Sequence, residues 1–305
     1  MTHIAPPRSS ILSANILCTL SMLSWAAGLP AADVLIPIIP SLPLTAARMG
    51  LAAIVLLVAW IVIEGPRAAL RAPWVRSVSI GTMLTVGAWL LILGQARTDA
   101  VTVAIISSTL PIVGITLEVM FDKRRLSATL LSGMALSLFG GLIALWGKGL
   151  GLDLGLGALL CLGSVVLYTV ASRLSVTALP SLTPLARSAA TVTGAGLSAV
   201  ALSLLATAFG APAPDWGLLG PNEMAALVTF AMLSMAISQI LWVSSVGSLG
   251  IGVAALHINA APFYVMLISL ALGGSWNHWQ AVGAVVVVMG VMLAQGLLRF
   301  GRPRV

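Results

Sequence analysis

Two of the few residues in this sequence that could take part in chemistry stand close to a proline. His257 and Asn259 precede Pro262 within residues 224–298, a run of 75 residues without Asp, Glu, Lys or Arg. A buried histidine can gain and lose a proton between about pH 5 and 8. Pro262 leaves nearby backbone carbonyls without their helical donors, so these carbonyls can bind other groups. The segment therefore predicts either a proton-carrying site or a histidine held by a structural hydrogen bond.

Charged side chains inside apolar runs form a second group. Arg48 opens one run, and Arg187 stands at a similar place 139 residues later. The hypothesis for Arg187 is an inner closure formed with Glu118, which is predicted to lie on the same side. The hypothesis for Arg48 is an outer closure formed with a carboxylate such as Asp33 or Asp99. The alternative is that each arginine reaches lipid phosphates at a membrane surface.

An aromatic residue follows a Leu-Cys pair in both halves of the chain. Trp25 and Tyr168 each come seven residues after the cysteine of such a pair. These rings can close a passage or stack on a flat solute, and they are also ordinary packing residues. The other residues predicted to face a binding cavity are polar or aromatic, although the amides can instead join helices. They are Trp89, Gln95, Ser108, Gln239, Trp242, His257 and Asn259.

The elements that must position these side chains are predicted to be membrane helices. Of 305 residues, 59% are hydrophobic and 8% are charged, whereas soluble domains carry about 25% charged residues. A helix needs about 20 apolar residues to cross a hydrocarbon layer roughly 30 Å thick. The uncharged runs, together with a run at 44–63 that only Arg48 interrupts, predict ten such helices. The glycine-rich segments 247–250 and 273–278 are the predicted joints between the last three.

The second half of the sequence repeats the first at an offset of about 150 residues. Five helices per copy force the second copy to enter the membrane from the opposite face. The prediction is therefore two inverted five-helix repeats, residues 1–150 and 151–305. The seven-residue spacing of paired glycines also places them on one helix face, where a neighbouring backbone can approach; the alternative is a lipid-facing helix with incidental glycines. The matching residues are Pro111 with Pro262, Gly133 with Gly283, and Gly140 with Gly290.

Lys and Arg are unevenly divided between the two predicted sides of the membrane. With the N-terminus inside, twelve fall on the cytoplasmic side and three on the outer side. The positive-inside rule therefore predicts that both termini are cytoplasmic. The formal charge of +7 is explained by this topology, so no nucleic-acid role is expected. The sequence has no glycine-rich phosphate cradle, CxxC pair or HExxH helix, so neither an ATP-driven pump nor a metal site is predicted.

The order of these features resembles the EamA-type, ten-helix branch of the drug/metabolite transporter superfamily. The resemblance covers nearly the whole chain. One departure is that residues 274–277 lack the acidic residue that such proteins often carry after the ninth helix. The resemblance to this family is carried by Trp25, residues 43–48, Pro111, the charged turn at 122–127 and the glycine-spaced fifth helix, followed by residues 155–173, 184–187, Pro262 and 283–290.

The resemblance implies a secondary active transporter in the bacterial inner membrane. Helices one to four and six to nine would surround a central cavity, with helices five and ten at the side. The expected activity is export of a small organic metabolite by alternating access, without a cofactor, in a lipid-embedded monomer or homodimer. An apolar, aromatic cavity favours an amino acid or another neutral, zwitterionic or aromatic solute, with proton coupling through His257 as a hypothesis. Alternatives are an uptake permease for a vitamin-like or other metabolite, a non-transporting scaffold or channel, and an intramembrane enzyme.

Overall fold

The computed structural model describes residues 8–121, 127–146 and 152–294 of the chain. For residues 8–10, 152–154, 246–248 and 250–256 it describes the backbone alone. Across these described residues the regular structure is helical, without a β-strand. Both termini, most of the predicted turn at 122–127 and the predicted boundary between residues 150 and 151 lie outside this part.

The first half of the described chain folds into seven helices. Gly65 ends the second of them with a backbone φ of 86°, a conformation that favours glycine. Asp99 caps the fifth, because its side chain accepts a hydrogen bond from the backbone nitrogen of Thr102 at 2.9 Å. The helices are α1 (Arg8–Leu35), α2 (Ser41–Glu64), α3 (Pro66–Leu70), α4 (Trp74–Gln95), α5 (Ala100–Ser107), α6 (Leu110–Phe121) and α7 (Ala128–Trp146).

The second half repeats this plan with one unusual segment. Thr183 caps α9 by accepting a hydrogen bond from the backbone nitrogen of Ala186 at 3.1 Å. Between α10 and α11 the chain is π-helical, a form that is rare and frequent at functional sites. The elements are α8 (Leu152–Ala178), α9 (Pro184–Ala208), a 3₁₀ turn (Trp216–Leu218), α10 (Pro221–Val228), the π-helix (Thr229–Ile237), α11 (Ser238–Ile258), α12 (Ala261–Ala271) and α13 (His278–Ala294).

Eight helical stretches of the described chain are long and apolar enough to cross a membrane. One is formed by α5 and α6 together, and another runs from α10 through the π-helix into α11. Two shorter apolar helices, Ala261–Ala271 and His278–Ala294, follow. The prediction of an all-α membrane protein is confirmed at this level. The count of ten and the side of each terminus stay predictions.

The joint predicted at 247–250 differs from the structure, while the joint at 273–278 is confirmed. α11 remains helical through residues 247–250. Glycine costs a helix only about 1 kcal/mol per residue, and no proline follows within α11 to end it. By contrast, α12 ends at Ala271, and Gly273 turns the chain with a φ of 90°.

Two helix breaks occupy equivalent places in the two halves. α5 and α6 are separated by Ser108 and Thr109, and α11 and α12 are separated by Asn259 and Ala260. In each case the second residue of the new helix is proline, Pro111 or Pro262 at an offset of 151. Proline lacks a backbone N–H and is tolerated where a helix starts, so it fixes the place where each helix resumes.

Helices of the first half pack mainly on helices of the second half. α2 packs against α9, α4 against α8 and α9, α1 against the π-helix and α11, and α5 against α12. α7 and α13 pack on each other with their backbones close. A methyl group on Gly140 would lie 2.7 Å from the backbone nitrogen of Val287, and one on Gly283 would lie 2.7 Å from that of Ala144. The predicted glycine packing face is confirmed.

Candidate functional site

A cavity of about 320 Å³ lies between helices of both halves. Its lining comes from α1, α2, α4, α8, the π-helix and α11, and from residues beside both helix breaks. α7 and α13 contribute no residue to it, as expected for helices at the side. Ligand sites for small organic molecules begin at about this volume. This cavity is the candidate functional site.

The cavity is lined by matching positions of the two halves. Away from the helix breaks, seven pairs of described lining residues share one of two offsets, 143 or 151 residues. The chemistry is less symmetric than the positions, because Ser238 and Gln239 stand where the first half has Gly87 and Ala88. The pairs are Ser21 with Ser164, Met22 with Val165, Trp25 with Tyr168, Leu84 with Met235, Gly87 with Ser238, Ala88 with Gln239, and Leu91 with Trp242.

Five of the residues predicted to bind a solute line this cavity. Ser108 lies at the break between α5 and α6, and its hydroxyl donates to the carbonyl of Ile105 at 2.7 Å. The amide of Gln239 reaches the cavity and also donates to the hydroxyl of Ser188 at 2.9 Å. Their role in binding stays a prediction. The five are Trp25, Ser108, Tyr168, Gln239 and Trp242.

Trp89 and Gln95 do not line the cavity. The indole nitrogen of Trp89 donates to the hydroxyl of Ser41 at 2.9 Å, which joins α4 to the start of α2. Gln95 is 2% exposed. Its amide nitrogen donates to the carbonyl of Leu29 at 2.6 Å and to the carboxylate of Asp33 at 2.8 Å, which joins α4 to α1. Both contacts connect helices, the alternative weighed for amides from the sequence.

His257 and Asn259 lie beside the cavity without lining it. They flank Ile258, which does line it, at the end of α11. Asn259 is 5% exposed, and neither atom of its amide group has a hydrogen-bond partner among the described residues. A buried unpaired amide costs about 1–3 kcal/mol. Proton coupling through His257 stays a prediction.

Arg48 lines the cavity, which differs from its predicted place in an outer closure. The helix begins at Ser41 rather than at residue 44, so Arg48 lies about 10 Å along it. The guanidinium carbon is 4.1 Å from the centre of the Phe230 ring. The Nε atom of Arg48 has no hydrogen-bond partner in the described part of the chain.

Asp33 and Asp99, the two carboxylates predicted to pair with Arg48, accept hydrogen bonds from glutamine side-chain amides. Asp33 accepts from Gln95 at 2.8 Å. Asp99 accepts from Gln280 at 3.0 Å and from its own capping partner Thr102. These hydrogen bonds join α1 to α4 and α5 to α13 near the chain turns. The predicted outer closure of Arg48 with Asp33 or Asp99 stays a prediction.

Glu118 and Arg187 lie on helices with different main packing partners. Glu118 is in α6, which packs against α8 and α13, whereas Arg187 is in α9, which packs against α2 and α4. Neither residue lines the cavity. The inner closure of Arg187 with Glu118 stays a prediction.

Apart from Ser108, the serines of the cavity are residues that sequence reasoning missed. A spacing of four residues, which places side chains on one helix face, could have found most of them. Ser164, Tyr168 and Ser172 follow this spacing in α8, and Ser234 and Ser238 follow it across the end of the π-helix. The serines that line the cavity are Ser21, Ser107, Ser108, Ser164, Ser172, Ser234 and Ser238.

Comparison with known proteins finds a family match in the first half of the chain. Residues 12–146 match the EamA-like transporter family. A match to a Bacillus subtilis (strain 168) protein described as the uncharacterized transporter YyaM agrees, at 30% identity over 74 residues. That match covers about a quarter of the relative's length, 24%, and 24% of this chain. The predicted resemblance to EamA-type drug/metabolite transporters is confirmed.

The fold beyond this EamA unit is shared with a solved structure. A crystal structure of a protein aligns with this chain at a TM-score of 0.66. The alignment covers 94% of this chain and 97% of the chain in that structure. Its identity of 21% limits the comparison to the fold. The EamA unit supplies α1, α2, α4 and the first helix break to the cavity wall, and the remaining half supplies the rest.

The described residues of the cavity offer groups that can recognise a solute. Its lining offers serine hydroxyls, one amide, three aromatic rings and one guanidinium. The described residues hold no group of three or more His, Cys, Asp or Glu side chains that could bind a metal ion. These groups can orient a solute by hydrogen bonds, stacking and charge.

Proposed function

We propose that this protein is a secondary transporter that moves a small organic metabolite across a bacterial inner membrane by alternating access. Export is the proposed direction, and the solute is one that fits the cavity described above. The single observation that carries the proposal is that equivalent positions of two halves line one cavity. A carrier needs such a site, because the same site must face each side of the membrane in turn.

The helix breaks support the same proposal. Interrupted helices at corresponding positions of two halves are the best sequence pointer to a transporter site. Here the breaks at 108–109 and 259–260 both border the cavity, since Ser108 and Leu110 line it on one side and Ile258 and Ala261 on the other. Backbone that leaves the helical pattern in a membrane is tolerated where it lines a cavity.

Counterflow in proteoliposomes tests the proposal. A panel of labelled metabolites is first offered to vesicles that contain the purified protein, with each unlabelled compound in excess inside. A carrier accelerates entry of the label when the inside is loaded, whereas a channel shows no such acceleration. If the protein shows no such acceleration with any member of a broad panel, the proposal is wrong.

A matched pair of substitutions then connects transport to the cavity. Leu91→Trp fills the cavity wall, because Leu91 lines it. Leu138→Trp places the same ring on the outer surface of α7, where Leu138 is 65% exposed. We expect Leu91→Trp to reduce the counterflow rate at least about tenfold and Leu138→Trp to retain it. Size-exclusion profiles and thermal unfolding of both variants establish that each is folded.

A further inference from the structure

Arg48 is buried, and part of its guanidinium group has no hydrogen-bond partner. The residue is 5% exposed, and its buried Nε atom has no partner among the residues that the structure describes. The face of Phe230 lies 4.1 Å from the guanidinium carbon. Burying an ion costs more free energy than a cation–π contact of this kind returns. The ring therefore offsets only part of the cost.

The described part of the cavity wall has no carboxylate that could supply a negative charge. Among the described residues that line the cavity there is no Asp or Glu, and Arg48 is the only charged side chain. Tyr168 and Arg48 both line the cavity. Asp33 and Asp99 are the carboxylates that were predicted as partners of Arg48. They accept hydrogen bonds from Gln95 and Gln280, respectively. A charge that faces a cavity and lacks a protein partner indicates a ligand of opposite charge.

The rest of the wall suits the body of such a ligand. Trp25, Tyr168 and Trp242 present aromatic surface, and Leu84 and Leu91 present aliphatic surface. A flat apolar skeleton packs well against rings of this kind. With a single guanidinium in the wall, one negative charge on the ligand is matched, and a doubly charged phosphate is not. A guanidinium also binds both oxygens of a carboxylate at once.

We propose that the cavity selects monocarboxylates with a flat apolar body, and that Arg48 binds the carboxylate. This inference rests on the proposed function for its biological setting and refines the solute class, since the sequence alone favoured neutral, zwitterionic or aromatic solutes. The geometry of Arg48 in the wall is the reason for the change. A hydrogen-bonded ion pair of this kind is worth about 1.5–3 kcal/mol.

Direct binding to the purified full-length protein tests the inference. The probes are 3-phenylpropionate and its uncharged counterpart 3-phenylpropionamide, which have the same skeleton. We expect the carboxylate to bind about 10–100-fold more tightly than the amide by calorimetry, the preference that such an ion pair gives. Equal affinities, or no binding of 3-phenylpropionate at millimolar concentration, would overturn the inference.

Substitutions at the two equivalent arginines give the matched control. We expect Arg48→Gln to abolish the preference for the carboxylate and Arg48→Lys to restore part of it. Arg187→Gln should keep the full preference, because Arg187 does not line the cavity. Arg48→Gln should also unfold at the same or a higher temperature, since it removes a buried unpaired charge. A preference that survives in Arg48→Gln overturns the inference.

The inference and the proposed function fail in different experiments. If the carboxylate preference depends on Arg48 but counterflow is never seen, the site stands and the transport proposal is wrong. If counterflow occurs and Arg48→Gln leaves solute preference unchanged, transport stands and the role of Arg48 is wrong.

Discussion

At the scale of single residues, burial and hydrogen bonding separate side chains that line the cavity from those that join helices. Gln95 and Gln239 are both amides within the membrane region of the chain. Gln95 donates to a carbonyl and a carboxylate and does not line the cavity. Gln239 makes one hydrogen bond, to Ser188, and lines the cavity. Residue type therefore does not decide between the two roles.

Replacing each glutamine by leucine should affect different properties. Gln95→Leu leaves the Leu29 carbonyl and the Asp33 carboxylate without this donor, so we expect the free energy of unfolding to fall by about 1–3 kcal/mol. Its KM for counterflow should stay the same. Gln239→Leu should raise KM several-fold with a smaller loss of stability. Thermal unfolding and counterflow kinetics measure both, and a KM that rises more in Gln95→Leu contradicts the assignment.

Residues that were predicted to face a cavity and do line it were identified by their depth in the membrane and by their partners in the repeat. Trp25 and Tyr168 were predicted as a pair, and both line the cavity. Trp89 lies at a suitable depth in α4 but is directed to Ser41 instead. In a helix that is apolar on every side, the sequence does not reveal which face is inward. Arg48 was assigned to an outer closure rather than to the cavity wall, because α2 begins three residues earlier than its apolar run.

At the scale of helices, glycine spacing predicted a contact that the structure bears out. α7 and α13 approach so closely that a methyl group on Gly133 would lie 2.5 Å from the carbonyl oxygen of Gly290. The π-helix at Thr229–Ile237, by contrast, has no evident signal in the sequence. Glycine pairs are a local steric signal, whereas a change in helical hydrogen bonding depends on neighbours such as α1.

Two neighbouring glycines in α7 allow a direct test of this helix contact. A methyl group on Gly140 would lie 2.7 Å from the backbone nitrogen of Val287, whereas one on Gly141 would meet nothing within 4 Å. We expect Gly140→Ala to destabilise the protein by about 1–3 kcal/mol, because backbone must move to accept the methyl group. Gly141→Ala should be neutral or stabilising by up to about 1 kcal/mol. Thermal unfolding of the two variants in the same detergent measures the difference, and equal values would contradict close packing.

At the scale of the whole molecule, contacts between the two halves occur in equivalent pairs, as expected if the halves are related. If the helices of the first half are matched in order with those of the second, the contact of α4 with α8 corresponds to that of α1 with the π-helix and α11. α2 and α9 are equivalent helices of the two halves and pack on each other, and so do α7 and α13. The sequence predicted the repeat from a few offsets but not which helices would be neighbours, because those contacts join residues far apart in the chain.

The inverted repeat itself predicts on which side of the membrane two equivalent turns lie. Pro37 follows α1 and Ser181 follows α8, at an offset of 144 residues, and both are exposed. Five crossings separate them, so a cysteine at Pro37 should face outward and one at Ser181 inward. The native cysteines, Cys18 and Cys161, are buried in helices and are replaced by alanine first. A membrane-impermeant maleimide should then label Pro37→Cys in intact cells, and Ser181→Cys only in inside-out vesicles.

The pattern of labelling distinguishes three arrangements. Labelling as expected supports both the inversion and the cytoplasmic termini that twelve inner and three outer Lys and Arg residues predict. Exchanged labelling would keep the inversion and reverse the orientation. Labelling of both cysteines from one side would mean that the halves enter the membrane in the same direction. Two such halves could not present equivalent gates to opposite sides, and alternating access through the shared cavity would be wrong.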